Sequence, residues 1–301
     1  LPFLSFGTDA SGKDLLPAEL SSGSCARFSN GKVKCWGQND FGQLGLEDIN
    51  HRGDGLDINN VPLPANPSEM GDSLPFVNLG TDGPGNDLFA KQISSGSEHN
   101  CALFENGRVK CWGMNAFGEL GLGDGGDRGD GLILGVPLQV GETEMGDALP
   151  FVALGTDSVG AELKVIKIVS GDRYNCVRFE NARVKCWGSP QDGATGLEGA
   201  AIVMGDGLAF VPLGTDLNGA ELRIADVDAS YRHTCVLFEN GFVKCWGVNA
   251  VGELGQDDTN TRGDGLDAAN QPLPAGETEL GAALKFIPLG TDSKGSNTVV
   301  E

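Results

Sequence analysis

Apolar and polar positions alternate over short spans along this chain, and the clearest span is Cys101-Ala-Leu-Phe-Glu-Asn-Gly-Arg-Val-Lys-Cys111. It predicts a strand, a tight turn and a returning strand. A two-residue Asn-Gly loop would set Cys101 opposite Trp112. A three-residue loop, Glu105-Asn106-Gly107 with Gly107 left-handed in a bulge, sets Cys101 directly opposite Cys111. On that count Phe104/Arg108 is the hydrogen-bonded pair beside the turn. The cysteines then fall on a non-hydrogen-bonded pair, where Cα atoms approach to about 4.5–5.5 Å, a separation that a disulfide accepts. Leu103 and Val109 share the cysteine face, whereas Ala102, Phe104 and Trp112 point the other way. A hairpin apolar on both sides must be covered on both sides.

The same hairpin is written four times, at Cys25/Cys35, Cys101/Cys111, Cys176/Cys186 and Cys235/Cys245, and these are all eight cysteines. In the third copy Ala182 replaces the turn glycine, at an expected strain of about 1 kcal/mol if it is left-handed. A second marker, Phe6-Gly-Thr-Asp9, returns at Leu79–Asp82, Leu154–Asp157, Leu213–Asp216 and Leu289–Asp292, each after a short apolar run such as Leu74-Pro-Phe-Val77. Its five copies read as turns. One repeat domain over 1–301 is expected, with repeats 1–73, 74–148, 149–207 and 208–283 and a partial fifth at 284–301. The third is short. No stretch carries a sustained helical period, and 47 glycines suit many short strands joined by turns. The expected fold is all-β, a β-propeller-like stack of antiparallel blades with four full repeats and the start of a fifth.

Composition narrows the function. The chain has 301 residues, 40% of them hydrophobic, enough for a large core. Its 42 acidic against 21 basic residues give a net charge of −21, which repels nucleic acid and anionic membrane. No apolar run of about 20 residues is present, so membrane insertion is not expected. A chain that opens on Leu1, without a signal peptide, reads as a mature product or an excerpt. Zinc sites use short Cys-x2-4-Cys knuckles, which this ten-residue offset across a hairpin does not supply. Disulfides are expected instead, and with them a secreted or cell-surface location.

Ser95-Gly-Ser-Glu-His-Asn-Cys-Ala-Leu103, Asn106-Gly-Arg-Val-Lys-Cys-Trp-Gly-Met-Asn115 and Phe117-Gly-Glu-Leu-Gly-Leu122 together resemble the repeat of the regulator of chromosome condensation family. Its pattern is Gly-x-x-His-(Thr)-x-Ala-Leu, Gly-x-Val-x-x-Trp-Gly-x-Asn and Gly-Gln-Leu-Gly. The resemblance implies a β-propeller with one four-stranded blade per repeat. The chain departs from the family in its longer units, its cysteine pairs and its small number of repeats. The family's exchange activity on a small nuclear GTPase is not expected from an acidic, disulfide-bonded chain. Trp36, Trp112, Trp187 and Trp246 stand at the Trp-Gly position and are expected in blade packing rather than as a chromophore.

The long repeats carry acidic glycine loops at residues 47–57, 124–131 and 257–267. Asp48, Asp54 and Asp57, then Asp124, Asp127 and Asp130, then Asp257, Asp258, Asp264 and Asp267 are spaced as a hard cation such as Ca²⁺ requires, although none of the loops has the Glu that closes an EF-hand. The other reading, and the preferred one, is a turn in which aspartates bond their own backbone and the arginine pairs with a neighbouring carboxylate. Arg52-Gly-Asp54, Arg128-Gly-Asp130 and Arg262-Gly-Asp264 recur in register, which marks a repeat feature rather than an adhesion signal. The third repeat omits the loop. His51, His99 and His233 are the only histidines, the last two just before a cysteine strand, and no catalytic site is expected.

The favoured expectation is a non-enzymatic structural or assembly propeller outside the cell, part of a surface or filamentous assembly, with other proteins or copies of itself as partners. No cofactor is required on this reading, Ca²⁺ aside. The alternative is a secreted propeller that holds a protein partner on its loop face. Residues 284–301 restate the first segment of the chain, which suggests a surplus strand available for exchange with a neighbour.

Overall fold

The computed structural model describes residues 4–290 except 58, 60, 64–68, 134, 191, 198–202, 217 and 275–276. The part of the fifth repeat from 291 onward lies outside the described residues. The chain divides into two compact units, Leu1–Val152 and Ala153–Glu301.

Four three-stranded antiparallel sheets carry the repeats. In the first unit these are β1 (Pro17–Leu20), β2 (Cys25–Phe28) and β3 (Val33–Cys35), then β4 (Ala90–Ser95), β5 (His99–Phe104) and β6 (Val109–Gly113). A two-residue pair, β7 (Leu132–Ile133) and β8 (Val136–Pro137), follows in the loop of the second repeat. The second unit holds β9 (Val165–Ser170), β10 (Tyr174–Phe179) and β11 (Val184–Gly188), then β12 (Ile224–Ala229), β13 (His233–Phe238) and β14 (Val243–Gly247). Each sheet runs in chain order, as hairpin-linked strands do.

Register follows from the turn. Cys101 pairs with Cys111 and Leu103 with Val109. The Phe104 amide donates to Arg108 and the Gly107 amide to Phe104, 3.0 and 2.9 Å. The left-handed residue is Gly31, Gly107, Ala182 or Gly241, with φ of 74°, 78°, 61° and 80°. Ala182 thus carries the strain that glycine avoids elsewhere.

The two faces of each hairpin meet different partners. In the first unit Cys25, Val33 and Cys35 pack against Ile93, Ala102, Phe104 and Trp112, so the disulfide face of one sheet lies on the tryptophan face of the next. In the second unit Cys176, Val184 and Cys186 pack in the same way with Val227, Val236, Phe238 and Trp246. Within each unit the disulfide face of one sheet is thereby buried against the tryptophan face of the other, as in stacked blades. The Trp112 indole donates to Gln43 O at 3.0 Å and that of Trp246 to Ala194 O at 2.9 Å, each carbonyl belonging to the corner of the preceding repeat. In the first repeat the corresponding face is a smaller cluster of Phe6, Ala26 and Phe28 with Trp36 only partly buried.

Each sheet is completed by the apolar run that opens the following repeat. Val77 N–H donates to Val33 O, Val152 to Val109, Val211 to Val184 and Ile287 to Val243, at 2.8 to 3.0 Å. Residues 284–287 are therefore not surplus. They stand to the fourth hairpin as residues 74–77 stand to the first.

A lysine in each returning strand fixes that run. Lys110 Nζ donates to Leu79 O and Gly146 O at 2.9 and 2.7 Å and lies 4.8 Å from the Phe151 ring centre. Lys34, Lys185 and Lys244 repeat the arrangement with Phe6 and Gly71, Leu154 and Gly205, and Leu213 and Gly281. All four side chains are buried, and desolvation lowers each ammonium pKa. The charge is retained because two carbonyls and an aromatic face replace its water.

Candidate functional site

The Gly-Thr-Asp markers are turns. Asp157 Oδ1 accepts the amides of Val159 and Ala161 at 2.9 Å, and Asp216 Oδ1 those of Asn218 and Ala220 at 2.8 and 2.9 Å. The preceding threonine amide donates to an aspartate of the next short turn, Thr81 to Asp147 and Thr156 to Asp206, both at 2.6 Å. These contacts hold the Asp147 and Asp206 carboxyls below the usual carboxylate range.

The acidic loops are organised by an asparagine that sequence reading did not single out. Asn115 Oδ1 accepts the Leu120 amide at 2.9 Å, and its Nδ2 donates to Asp124 O at 2.9 Å and to Gly126 O at 3.0 Å. Asn39 and Asn249 do the same for Leu44 with Asp48 and for Leu254 with Asp258. One carboxamide thus ties the corner to the loop. In the third repeat Trp187-Gly-Ser-Pro190 puts proline at that position, and no such loop follows.

The aspartates work largely within these turns. Asp48 Oδ1 accepts the Asn50 amide and Oδ2 meets Arg52 Nη2 at 2.6 Å; Asp124 and Asp258 meet Arg128 and Arg262 at 2.7 Å. Asp54, Asp130 and Asp264 accept the amides of Leu56, Leu132 and Leu266. Asp57 and Asp267 each accept two turn amides, and Asp127 accepts the Asn115 amide at 2.8 Å. Asp257 is exposed in a left-handed conformation, φ 59°. Among the described residues no group of three or more His, Cys, Asp or Glu side chains is placed to hold a metal ion. The three Arg-Gly-Asp arginines are tied to these carboxylates and to loop carbonyls, so their guanidinium groups are engaged inside the loop.

A second acid joins each of the three loops, and in the first Glu69 Oε2 accepts the amides of Gly53 and Gly55 at 2.9 and 3.0 Å. Glu144 Oε2 accepts the Gly129 amide at 3.1 Å, and Glu144 is 7% exposed. Burial first, then its hydrogen bond and repulsion with Asp130, push its pKa up to about 7. Glu279 accepts the Gly263 amide at 2.8 Å and is raised to about 7 by burial and by Asp264. Burial also raises Asp127. The signal for these glutamates in the sequence is their recurrence before Met145 and Leu280, fifteen or sixteen residues past the Arg-Gly-Asp glycine.

The remaining predicted residues are placed as follows. Cys25–Cys35, Cys101–Cys111, Cys176–Cys186 and Cys235–Cys245 are bonded, with Cα atoms 4.1 Å apart in every pair. Trp112, Trp187 and Trp246 are fully buried. His99 is buried, His233 half-buried, and His51 Nε2 lies 3.2 Å from Asp40 at the loop surface.

Clamped antiparallel blades joined by long polar loops define a propeller-type repeat protein. The model of the regulator of chromosome condensation repeat matches residues 21–43, 90–119 and 224–253, so three of the hairpins carry a sequence similar to that repeat. It is 30% identical over 174 residues to the guanine nucleotide exchange factor SRM1 of Saccharomyces cerevisiae, covering 56% of this chain and 33% of that protein. It is 29% identical to the ultraviolet-B receptor UVR8 of Arabidopsis thaliana, over 75% of this chain and 39% of the receptor. The crystal structure of human WBSCR16 is similar with a TM-score of 0.50 at 19% identity, covering 80% of this chain and 49% of that one, a likeness of fold. The chain therefore spans between a third and a half of the length of these proteins.

Proposed function

We propose that the chain is a non-catalytic, protein-binding propeller segment that works where disulfides form, outside the cell or on its surface. The observation that carries this reading is the clamp: a disulfide closes every hairpin, and in both units such a bridge packs against the tryptophan face of the adjoining sheet. Eight paired cysteines, seven of them buried, suit an oxidising compartment. Stiff blades carrying variable loops are the scaffold on which binding residues are usually placed. An exchange factor and a receptor among its relatives fit a role exercised on other macromolecules. The aspartates that spacing offers to Ca²⁺ hold turns, so the reading requires no metal.

The test has two parts. Alkylation of protein from its native source followed by non-reducing mass spectrometry should find no free thiol. Cross-linking of the same material should join the loop residues to a second polypeptide. Free thiols, or cross-links confined to this chain, would overturn the reading.

A structural role in an assembly is the second reading, and one observation favours it. Leu4 is 50% exposed, whereas Val77, Val152 and Val211, at the same place in later repeats, are 6%, 7% and 6% exposed. A sheet of the same kind would cover it. Light scattering that returns the mass of one chain at all concentrations would exclude self-assembly.

A further inference from the structure

The loop of the second repeat departs from its counterparts at one arm. In the first and fourth repeats the arm turns on an aspartate. Asp57 Oδ1 accepts the amides of Asn59 and Val61, both at 2.9 Å, within the bridge Leu56/Pro62. Asp267 Oδ1 accepts those of Ala269 and Gln271, at 2.8 and 2.9 Å, within Leu266/Pro272. In the second repeat Ile133 stands where that aspartate would be, and the arm is one residue shorter. It closes instead as the strand pair β7–β8, with Ile133 directly opposite Val136. Ile133 and Val136 are 51% and 60% exposed, and Val140 is fully exposed. Folding does not call for an aliphatic residue at Ile133, since the other two arms close on a carboxylate there.

Beside the arm lies a cavity of about 720 Å³. Leu132 and Ile133 form part of its wall, and Asp124, Asp127, Asp130 and Glu144 form much of the rest. Among the described residues the one cation in the wall, Arg128, is tied to Asp124 at 2.7 Å and to the carbonyls of Gly126 and Asp127. The cavity is thus acid-walled beside an exposed aliphatic ridge. Hydrophobic contact and opposite charge select the same kind of occupant.

We propose that the β7–β8 arm and its cavity dock a partner protein through a segment that sets an aliphatic or aromatic side chain beside lysine or arginine. The apolar side chain covers Ile133 and Val136, and the cation enters the cavity. This deepens the protein-binding reading and rests on it. The groups facing Glu144 are Asp130 and Arg128, with the Glu47 carboxylate holding the Glu144 amide at 3.1 Å. An entering cation favours the ionised form of Glu144, so docking releases a proton and is tighter at pH 8 than at pH 6.

The test uses the full chain and a fluorescein-labelled Leu-Lys-Leu-Lys-Leu-Lys peptide read by anisotropy. Ile133→Ser combined with Val136→Ser should weaken binding by about tenfold, from the apolar area no longer covered. Both positions are exposed, and a matching thermal melt checks the fold of the variant. Val61→Ser, the same exposed position in the first repeat, should leave binding unchanged, and Glu144→Gln should remove its pH dependence. Equal binding by the double variant would overturn the proposal. So would an all-lysine hexapeptide binding as tightly, which would mean attraction to net charge alone. Sedimentation showing a dimer lost on Ile133→Ser would overturn it in favour of a second copy on the arm. Failure here is distinct from failure of the protein-binding reading, which the native cross-links decide separately.

Discussion

The second and third repeats share a hairpin and part company three residues after the tryptophan. Both have the cross-strand disulfide, the buried lysine and the completing apolar run. In the second, Asn115 holds a loop that reaches Glu144; in the third, Pro190 stands in that place and the chain passes to the next short turn. The blade is therefore the part that folding requires. The loop is an addition fastened by the Asn115 carboxamide and by the backbone pair of Gly113 with Arg128, and the sheet of the third repeat forms without it.

That division can be broken or sharpened by experiment. The largest effect is expected at the lysine, because Lys110→Met leaves the Leu79 and Gly146 carbonyls buried without a donor, at a cost of about 2–5 kcal/mol in urea unfolding. Lys185→Met should act in the same direction in the third repeat. A neutral result in either would remove the lysine from the common blade. Replacing Cys101 and Cys111 together by alanine should cost about 3 kcal/mol through the reopened loop, and the Cys176/Cys186 pair should cost the same if the hairpins are equivalent.

Asn115→Ala is expected to cost about 1–2 kcal/mol and to act locally. Hydrogen exchange should quicken over residues 120–133 and stay unchanged in β5 and β6. Exchange spreading into the hairpin would show that loop and blade are one cooperative body. Glu144 and Glu279, raised to about 7 from an ordinary 4.5, keep a proton in the folded state that the unfolded chain has already released. Their stabilisation is therefore fully present below about pH 4.5 and lost as pH rises to about 7. The melting temperature should fall by a few degrees, about 2–4 °C per kcal/mol for bodies of this size, and Glu144→Gln with Glu279→Gln should flatten the fall. The third repeat, without such a pair, should not contribute. Last, Gly107→Ala should cost about 1 kcal/mol, and Ala182→Gly should recover less than that.

The hairpins were legible in the sequence because a period-two pattern, a turn glycine and two cysteines all demand one register. Ala182 shows how tightly that register is held, since it takes φ 61° rather than shift it. The lysines were not legible, although Val-Lys-Cys recurs four times, because a charged residue inside an apolar run ordinarily points to solvent. Only the carbonyls of Leu79 and Gly146, far away in the chain, give it a reason to be buried. The Asp130/Glu144 pair was hidden for the same reason, its partners being fourteen residues apart across a loop whose path no pattern dictates. The apolar runs at 74–77 and 284–287 were visible as repeat starts, but their allegiance to the hairpin before them was not.

That allegiance staggers the written repeats against the built ones like courses of brick. A fragment cut at Leu74 or Leu149, where the text begins anew, would strip one sheet of its last strand and hand the next an orphan. Deletions, grafts and tandem constructions in this protein have to be cut after Val77, Val152, Val211 or Ile287 if every piece is to close its own seam.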